Sequence, residues 1–214
     1  MNPIWYDTHH IEGMRYSAQH KAKTHERVLK KAAEQLRRRG VQGTGIAGLM
    51  GKVGLTHGGF YAHFPDKNAL IAEATGPMLE EGVAGVIAAA EAAPEGKQLQ
   101  AIVNTYLSTA HRDSPQVCPV AGLAGEMARQ SKTVRNAYTG AIEDRLKLIA
   151  RFLPGANEQE RRDRARLMMS GMAGTMMIAK TITDRKASDH FLEQAREFYA
   201  SAFEATLTQK GKRK

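Results

Sequence analysis

From Ser17 to Arg39 the apolar residues Val28, Leu29, Ala32, Ala33 and Leu36 recur at three- and four-residue steps, with Lys and Arg between them. That is the period of an amphipathic helix with one buried face. The run closes on Arg37-Arg38-Arg39 and Gly40, cations at a helix C-terminus followed by a residue that readily ends a helix. A second, shorter run carries Ile46, Leu49, Met50 and Val53 and is predicted to start at Thr44 or Gly45. Gly54-Leu55-Thr56 reads as a tight turn, with Thr56 capping a third short helix that Pro65 ends. Asp66 can cap a fourth helix that begins near Lys67 and runs to about Ala93. Gly76-Pro77 lies inside that fourth run and predicts a kink or a new segment.

Downstream there is no strand-like alternation and no internal repeat. Helices are expected from Gly96 to about His111, Pro119 to Arg129, Lys132 to Phe152, Glu158 to about Thr183, and from a Ser188 cap to about Thr208. Ala141, Leu146, Leu148 and Ile149 are core candidates, and Phe191, Leu192, Phe198, Phe203 and Leu207 form the expected buried stripe of the last helix. The fold class is therefore all-α. Four segments are expected: an arm or extension over residues 1–19, a helix-turn-helix domain over 20–66, a larger helical domain over 67–208 and a basic tail over 209–214.

The 214 residues carry a formal charge of +9, which favours an anionic partner. Residues 1–66 hold ten Lys/Arg against five Asp/Glu, whereas the rest hold twenty-one against seventeen, so the first third is the more basic per residue. The single cysteine, Cys118, excludes an intramolecular disulfide and a multi-cysteine metal site, and it fits a reducing cytoplasm. No apolar run reaches membrane-spanning length, and Met1–Asp7 lacks the layout of an export signal. No membrane partner is expected, and Met14 is an alternative start. His9, His10, His20 and His25 suggest metal only weakly, because no Cys or acidic cluster completes a site, so neither metal nor cofactor is expected.

The stretch over residues 54–67 is too short and too glycine-weakened to be a stable helix alone. A core must hold it. The DNA major groove is about 12 Å wide and admits a helix whose leading residues are small, as Gly58, Gly59 and Ala62 are. His57 is the larger side chain at the entry end and can reach a base edge. Tyr61, His63 and Lys67 lie further along, where hydroxyl, imidazole and ammonium groups suit phosphate oxygens. The helix starts at Thr44/Gly45 and at Thr56 present free backbone N–H groups that suit a phosphate. Phe60, Phe64, Leu49, Val53 and Leu70 are core; the ring of Tyr61 is alternatively half-buried, and His63 is alternatively a packed histidine with a backbone partner.

Gly54-Leu55-Thr56-x-Gly58-Gly59-Phe60-Tyr61-x-His63-Phe64-x-x-Lys67-x-x-Leu70 resembles the DNA-binding signature of TetR/AcrR-family transcriptional regulators. The basic first run, Gly40 and Leu49-Met50 match as well, so the likeness covers about residues 24–72. The resemblance implies an Ω-shaped homodimer of about nine helices, with a three-helix head on a double-stranded DNA operator and a C-terminal part that binds a small effector and dimerises. It also implies that Thr56 meets phosphate, that His57, Gly58 and Gly59 face bases, and that Tyr61, His63 and Lys67 contact phosphate. Gly45 stands where the family often has Thr, so either Thr44 caps the second helix or the backbone alone meets the phosphate; Ala47 and Gly48 also lack polar groups, so few bases would be read directly.

In the C-terminal part, Cys118 precedes Pro119 in a stretch similar to one that opens the sixth helix in a subset of that family. A thiol at a helix N-terminus gains acidity, and His111 and Arg112 lie near in sequence. Cys118 is either an electrophile or oxidant sensor or a small buried residue. Met168, Met169, Met172, Met176 and Met177 crowd one helix as pocket, core or dimer packing, and Gly171 and Gly174 allow close helix approach. Tyr106, His111, Cys118, Met127, Tyr138, Met172 and Met176 are candidate effector-pocket residues. The expected function is a non-enzymatic DNA-binding repressor released from a palindromic operator by a small molecule, an electrophile where Cys118 is a sensor. The alternatives are a small helical enzyme using Cys118 with His111, and a non-specific DNA-binding protein.

Overall fold

The computed structural model describes residues 8–116 and 118–204, and for 8–18 it describes the course of the backbone alone. Nine α-helices and one 3₁₀ segment make up the described residues: α1 Thr8–Arg39, α2 Ile46–Lys52, the 3₁₀ segment Gly58–Ala62, α3 Lys67–Ala92, α4 Gln98–Tyr106, α5 Thr109–Arg112, α6 Pro119–Met127, α7 Lys132–Ala150, α8 Glu158–Thr181 and α9 Arg185–Glu204. The all-α expectation holds.

Boundaries moved for physical reasons. The first helix begins at Thr8, ahead of Ser17, so residues 8–16 continue it and do not form a separate arm. No proline interrupts them, and the one glycine there, Gly13, costs a helix only about 1 kcal/mol. The rest of the expected arm (1–7), the basic tail (209–214) and Leu207 lie outside the described residues. The helix expected to reach His111 breaks after Tyr106, where Ser108 caps the short α5 by accepting from the His111 N–H at 3.1 Å. Pro77 sits within α3, which runs through it as one helix. Asp184, and not Ser188, caps the last helix: its carboxylate accepts from the Lys186 and Ala187 N–H groups at 2.9 and 3.3 Å. Ser188 is buried inside α9 and donates to the Ala179 carbonyl.

Two apolar cores divide the chain. The head core joins Val28, Ala32, Leu36, Leu49, Met50, Phe60 and Phe64 to Leu70, Ile71 and Met78 of α3. The body core joins Val86 and Ala90 of α3 to α4, the far end of α7, α8 and Leu192 of α9. The helices α3, α6 and α7 contribute to both, so the head is docked on the body through shared helices. Of the expected stripe on α9, Leu192 is buried, Phe191 and Phe203 are half-buried, and Phe198 is 64% exposed.

Candidate nucleic-acid interface

The turn between α1 and α2 positions everything after it. Gly40 has φ +69, the left-handed region that favours glycine, and its N–H closes α1 onto the Leu36 carbonyl at 2.9 Å. Thr44 does not cap α2. Its side chain is buried and its hydroxyl donates to the Gly40 carbonyl at 2.8 Å, while Gly45 takes the N-cap position without any side-chain bond. The cap therefore falls to a residue that cannot supply one, and the first N–H groups of α2 are left for another partner. This corrects the expectation of a Thr44 cap and turns its side chain away from any phosphate.

After α2, Gly54 reverses the chain at φ +72 and the Leu55 N–H donates to the Met50 carbonyl at 2.9 Å. Thr56 then caps as expected: its hydroxyl oxygen accepts from the Gly59 N–H at 3.2 Å. The capped segment is a single 3₁₀ stretch and not an α-helical run, with Gly59 and Phe60 N–H groups bonded to the carbonyls three residues earlier. Two adjacent glycines disfavour a longer helix and Pro65 ends it.

Its inner face is Phe60 and Phe64, both essentially inaccessible, with ring centroids 5.5 Å apart and His25 of α1 stacked on Phe64 at 4.5 Å. Its outer face is His57, Gly58, Tyr61 and Ala62, all exposed, with Gly59 half-buried. Tyr61 is 59% exposed, so the half-buried alternative for its ring is not what the fold adopts. It is braced edge-on by Phe60 at 5.2 Å and by His57 at 6.1 Å. A Cβ on Gly58, Gly45 or Gly48 would meet no protein atom within 4 Å, and none of the three has positive φ. Neither the backbone nor the packing of the chain requires glycine at these positions.

His63 and Lys67 depart from the pattern. His63 is half-buried, its Nδ1 lacks a partner, and burial, reinforced by nearby His25 and Lys21, holds its pKa below the ordinary value. A neutral imidazole is a poor partner for a phosphate. The Lys67 ammonium donates to the Val41 carbonyl at 3.2 Å, tying the start of α3 to the α1–α2 turn. Asp66 caps α3 as expected, accepting from the Ala69 N–H at 2.8 Å.

A basic cleft that the sequence reading did not single out lies between α1 and α2, lined by Arg27, Lys30, Lys31, Glu34, Lys52 and Val53. Arg27 donates to the Val53 carbonyl at 2.7 Å and Lys31 pairs with Glu34. The three-to-four-residue spacing of Arg27, Lys30 and Lys31 was the available signal, but Lys52 joins them only through the fold. Arg37 and Arg38 of the basic triplet engage Glu81 and Glu34, Arg37 from a largely covered position and Arg38 from an exposed one.

In the body, three of the candidate pocket residues meet. The Cys118 thiol lies 3.2 Å from the Tyr106 hydroxyl, and the His111 Nδ1–H donates to the Tyr106 carbonyl at 2.6 Å with its ring edge-on to that of Tyr106 at 4.8 Å. Burial pushes the thiol up, but bonds from His111, the Ala121 N–H and Tyr106 outweigh it, and the net pKa lies below the ordinary thiol value. Burial lowers His111, but the interactions with Cys118 and the Tyr106 carbonyl outweigh it and raise its pKa from the ordinary value. Arg112 takes no part: it is buried against Ser188, Asp189 and Asp113. Of the seven, Tyr106, Cys118, Met172 and Met176 share the body core and Met127 and Tyr138 the head core.

Residues 28–74 match the family model described as bacterial regulatory proteins, tetR family. The whole fold is similar to solved structures of Escherichia coli NemR in its reduced form (19% identity, 83% of this chain and 95% of that one, TM-score 0.64). It is similar also to a TetR transcriptional regulator from Chloroflexus aurantiacus J-10-FL (23% identity, 86% and 95%, TM-score 0.63). A third is SCO4454, a TetR-family regulator from Streptomyces coelicolor (18% identity, 89% and 95%, TM-score 0.65). No curated protein sequence matches the chain. Residues 28–74 thus match the tetR-family model, and the all-helical body behind them has the same fold as these solved regulators.

Proposed function

We propose that the protein is a cytoplasmic, homodimeric repressor that holds a palindromic DNA operator and releases it when a small molecule engages the body. The observation that carries this reading is the outer face of residues 56–62, small at Gly58, Gly59 and Ala62 and flanked by His57 and Tyr61, on a head that also carries the basic cleft of Arg27, Lys30 and Lys52. Glycines with open space around them leave room for a groove wall to approach the backbone. In this reading Thr56 and the uncapped start of α2 at Gly45 offer hydroxyl and N–H groups to phosphates, His57 reads a base edge, and Tyr61 and the cleft lysines grip the backbone.

Dimerisation is supported by an apolar face with nothing packed on it. Leu167, Met177 and Ile178 are exposed on one side of α8, with Gly174 between them, and Phe198 of α9 is exposed as well. Large apolar side chains gathered on two long helices mark a protein interface, and a two-fold copy of the same pair would cover them. Two heads would then meet successive major grooves about 34–36 Å apart.

For the effector, an electrophile is supported by the Cys118–His111–Tyr106 contacts. The thiolate sulfur would bond to the β-carbon of an unsaturated carbonyl compound, the π pair would move to the α-carbon, and His111 would return the proton there, with no leaving group. An adduct in a packed core would have to displace its neighbours, which favours a different arrangement of body and head.

The test is a gel shift on duplexes selected by the protein from a random pool, with random-sequence competitor. A shift that survives competitor and is lost on treatment with N-ethylmaleimide, but persists in Cys118→Ser, is expected. A shift abolished equally by competitor would favour non-specific binding. His57→Ala should reorder the affinities of operator variants, by about 1–3 kcal/mol at one position. Lys30→Ala should weaken all duplexes alike and reduce the salt slope by about one. Uniform losses from both variants would overturn the division between base reading and phosphate grip.

A further inference from the structure

The turn that aims the head is held by a carboxylate from the body. Glu126, near the end of α6, accepts the Val41 N–H at 2.8 Å across 85 residues of sequence. Lys67 holds the Val41 carbonyl at 3.2 Å, and the Val41 side chain is buried in the head core. Gly40 is shaped for the same contact: a Cβ there would collide with the Glu126 carboxylate. The helix α6 bridges the two cores, with Cys118 and Ala121 in the body core and Leu123 and Met127 in the head core. Its other end is gripped by the body and by α7. The Tyr138 hydroxyl donates to the Pro119 carbonyl at 2.8 Å, and Gly82 of α3 lets Pro119 approach so closely that a Cβ would lie 2.6 Å from its Cγ.

We propose that Glu126 is the positioning residue of the DNA-binding head. It fixes the α1–α2 turn to α6, so that any shift of α6 along its axis is delivered to Val41 and from there to α2 and the 3₁₀ segment. Rigid α6 is one nine-residue helix anchored at both ends, which lets a displacement at Pro119 reach the turn without being absorbed in a loop. The proposal rests on the DNA-binding reading for its functional consequence, but its physical content is legible in the protein alone.

The experiment is amide hydrogen exchange at Val41 in the free full-length chain, together with affinity for the duplex selected by the wild-type protein. Glu126→Ala is expected to speed Val41 exchange about ten-fold or more and to weaken duplex binding by a similar factor. Glu126→Gln, which keeps an acceptor oxygen in place, should restore most of both. Tyr138→Phe, which frees the other end of α6, should also speed Val41 exchange, but add nothing in the Glu126→Ala background. Unchanged Val41 exchange in Glu126→Ala, or a Tyr138→Phe effect of equal size in both backgrounds, would overturn the proposal. If the wild-type protein selects no duplex, the DNA-binding reading fails, and the exchange arm still decides the Glu126 anchor.

Discussion

His57 and Tyr61 are placed by the residues around them in the segment. Phe60 and Phe64 pin the segment to the head core, Thr56 caps it, and Gly54 turns the chain into it. Thr56→Ala should therefore cost about 1 kcal/mol of head stability through the lost cap, read by chemical denaturation. Val at position 56 keeps the size without the hydroxyl and should cost as much. At Cys118 the sign follows from its hydrogen bonds. Burial alone would raise the thiol, yet His111, the Ala121 N–H and Tyr106 bring it down, so thiolate persists at a pH below that of a free thiol and is lost as pH falls through the lowered value. His111→Ala should move the titration upward. Thiolate ultraviolet absorbance, taken as the difference from Cys118→Ser, measures this, and an unmoved or downward-moved curve would remove His111 from the account. The pattern of small and aromatic residues over 56–62 was visible as a candidate surface from sequence. That burial lowers the pKa of His63 and that Lys67 reaches the Val41 carbonyl were not, because both depend on residues from α1 and the turn.

At the scale of elements, α6 and the α1–α2 turn are coupled by one glycine. Gly40→Ala has to adopt φ +69 and also displace the Glu126 carboxylate. The backbone part alone costs about 1 kcal/mol, so a fall of at least about 2 °C in Tm is expected for a chain of this length. Glu126→Ala combined with Gly40→Ala should recover part of that loss by removing the clash. No recovery in the double variant would mean that the carboxylate is not what the added methyl meets. The helices themselves were mostly legible, since 3.6-residue periodicity, caps and prolines are local signals. Their errors were local too. The split after Tyr106 follows from Ser108 capping a new turn, and the start of α9 at Arg185 from Asp184 accepting two N–H groups where Ser188 had been expected to cap. Ser188 had other partners, Arg112 and the Ala179 carbonyl, which no local pattern reveals.

For the whole molecule, the exposed face of α8 and α9 is where the proposed dimer is tested. Met177→Glu with Ile178→Glu puts charge where a second copy is proposed to pack, and burying unpaired charge is strongly disfavoured. Sedimentation is expected to turn from dimer to monomer, with helical content retained. Operator affinity should then fall steeply, because the two half-sites would no longer be held together. A variant that stays dimeric would place the interface elsewhere. The same scale explains the basic cleft: Lys52 on α2 meets Arg27 and Lys30 on α1 only once α2 has folded across α1.

By itself the sequence determined what local physics determines: an all-helical chain, the glycine turns, the Thr56 and Asp66 caps, and a short segment with an apolar and a small polar face. Those features arise from side-chain size, periodicity and backbone preference within a few residues. Tertiary structure alone decided which polar groups remained available. Thr44 turned inward, Lys67 and Glu126 took the two backbone groups of Val41, His111 found Cys118, and Phe198 was left outside the stripe expected to bury it. Each of those outcomes depends on a partner far away in sequence, and a hydrogen bond or a buried face is settled only when both of its sides are in place.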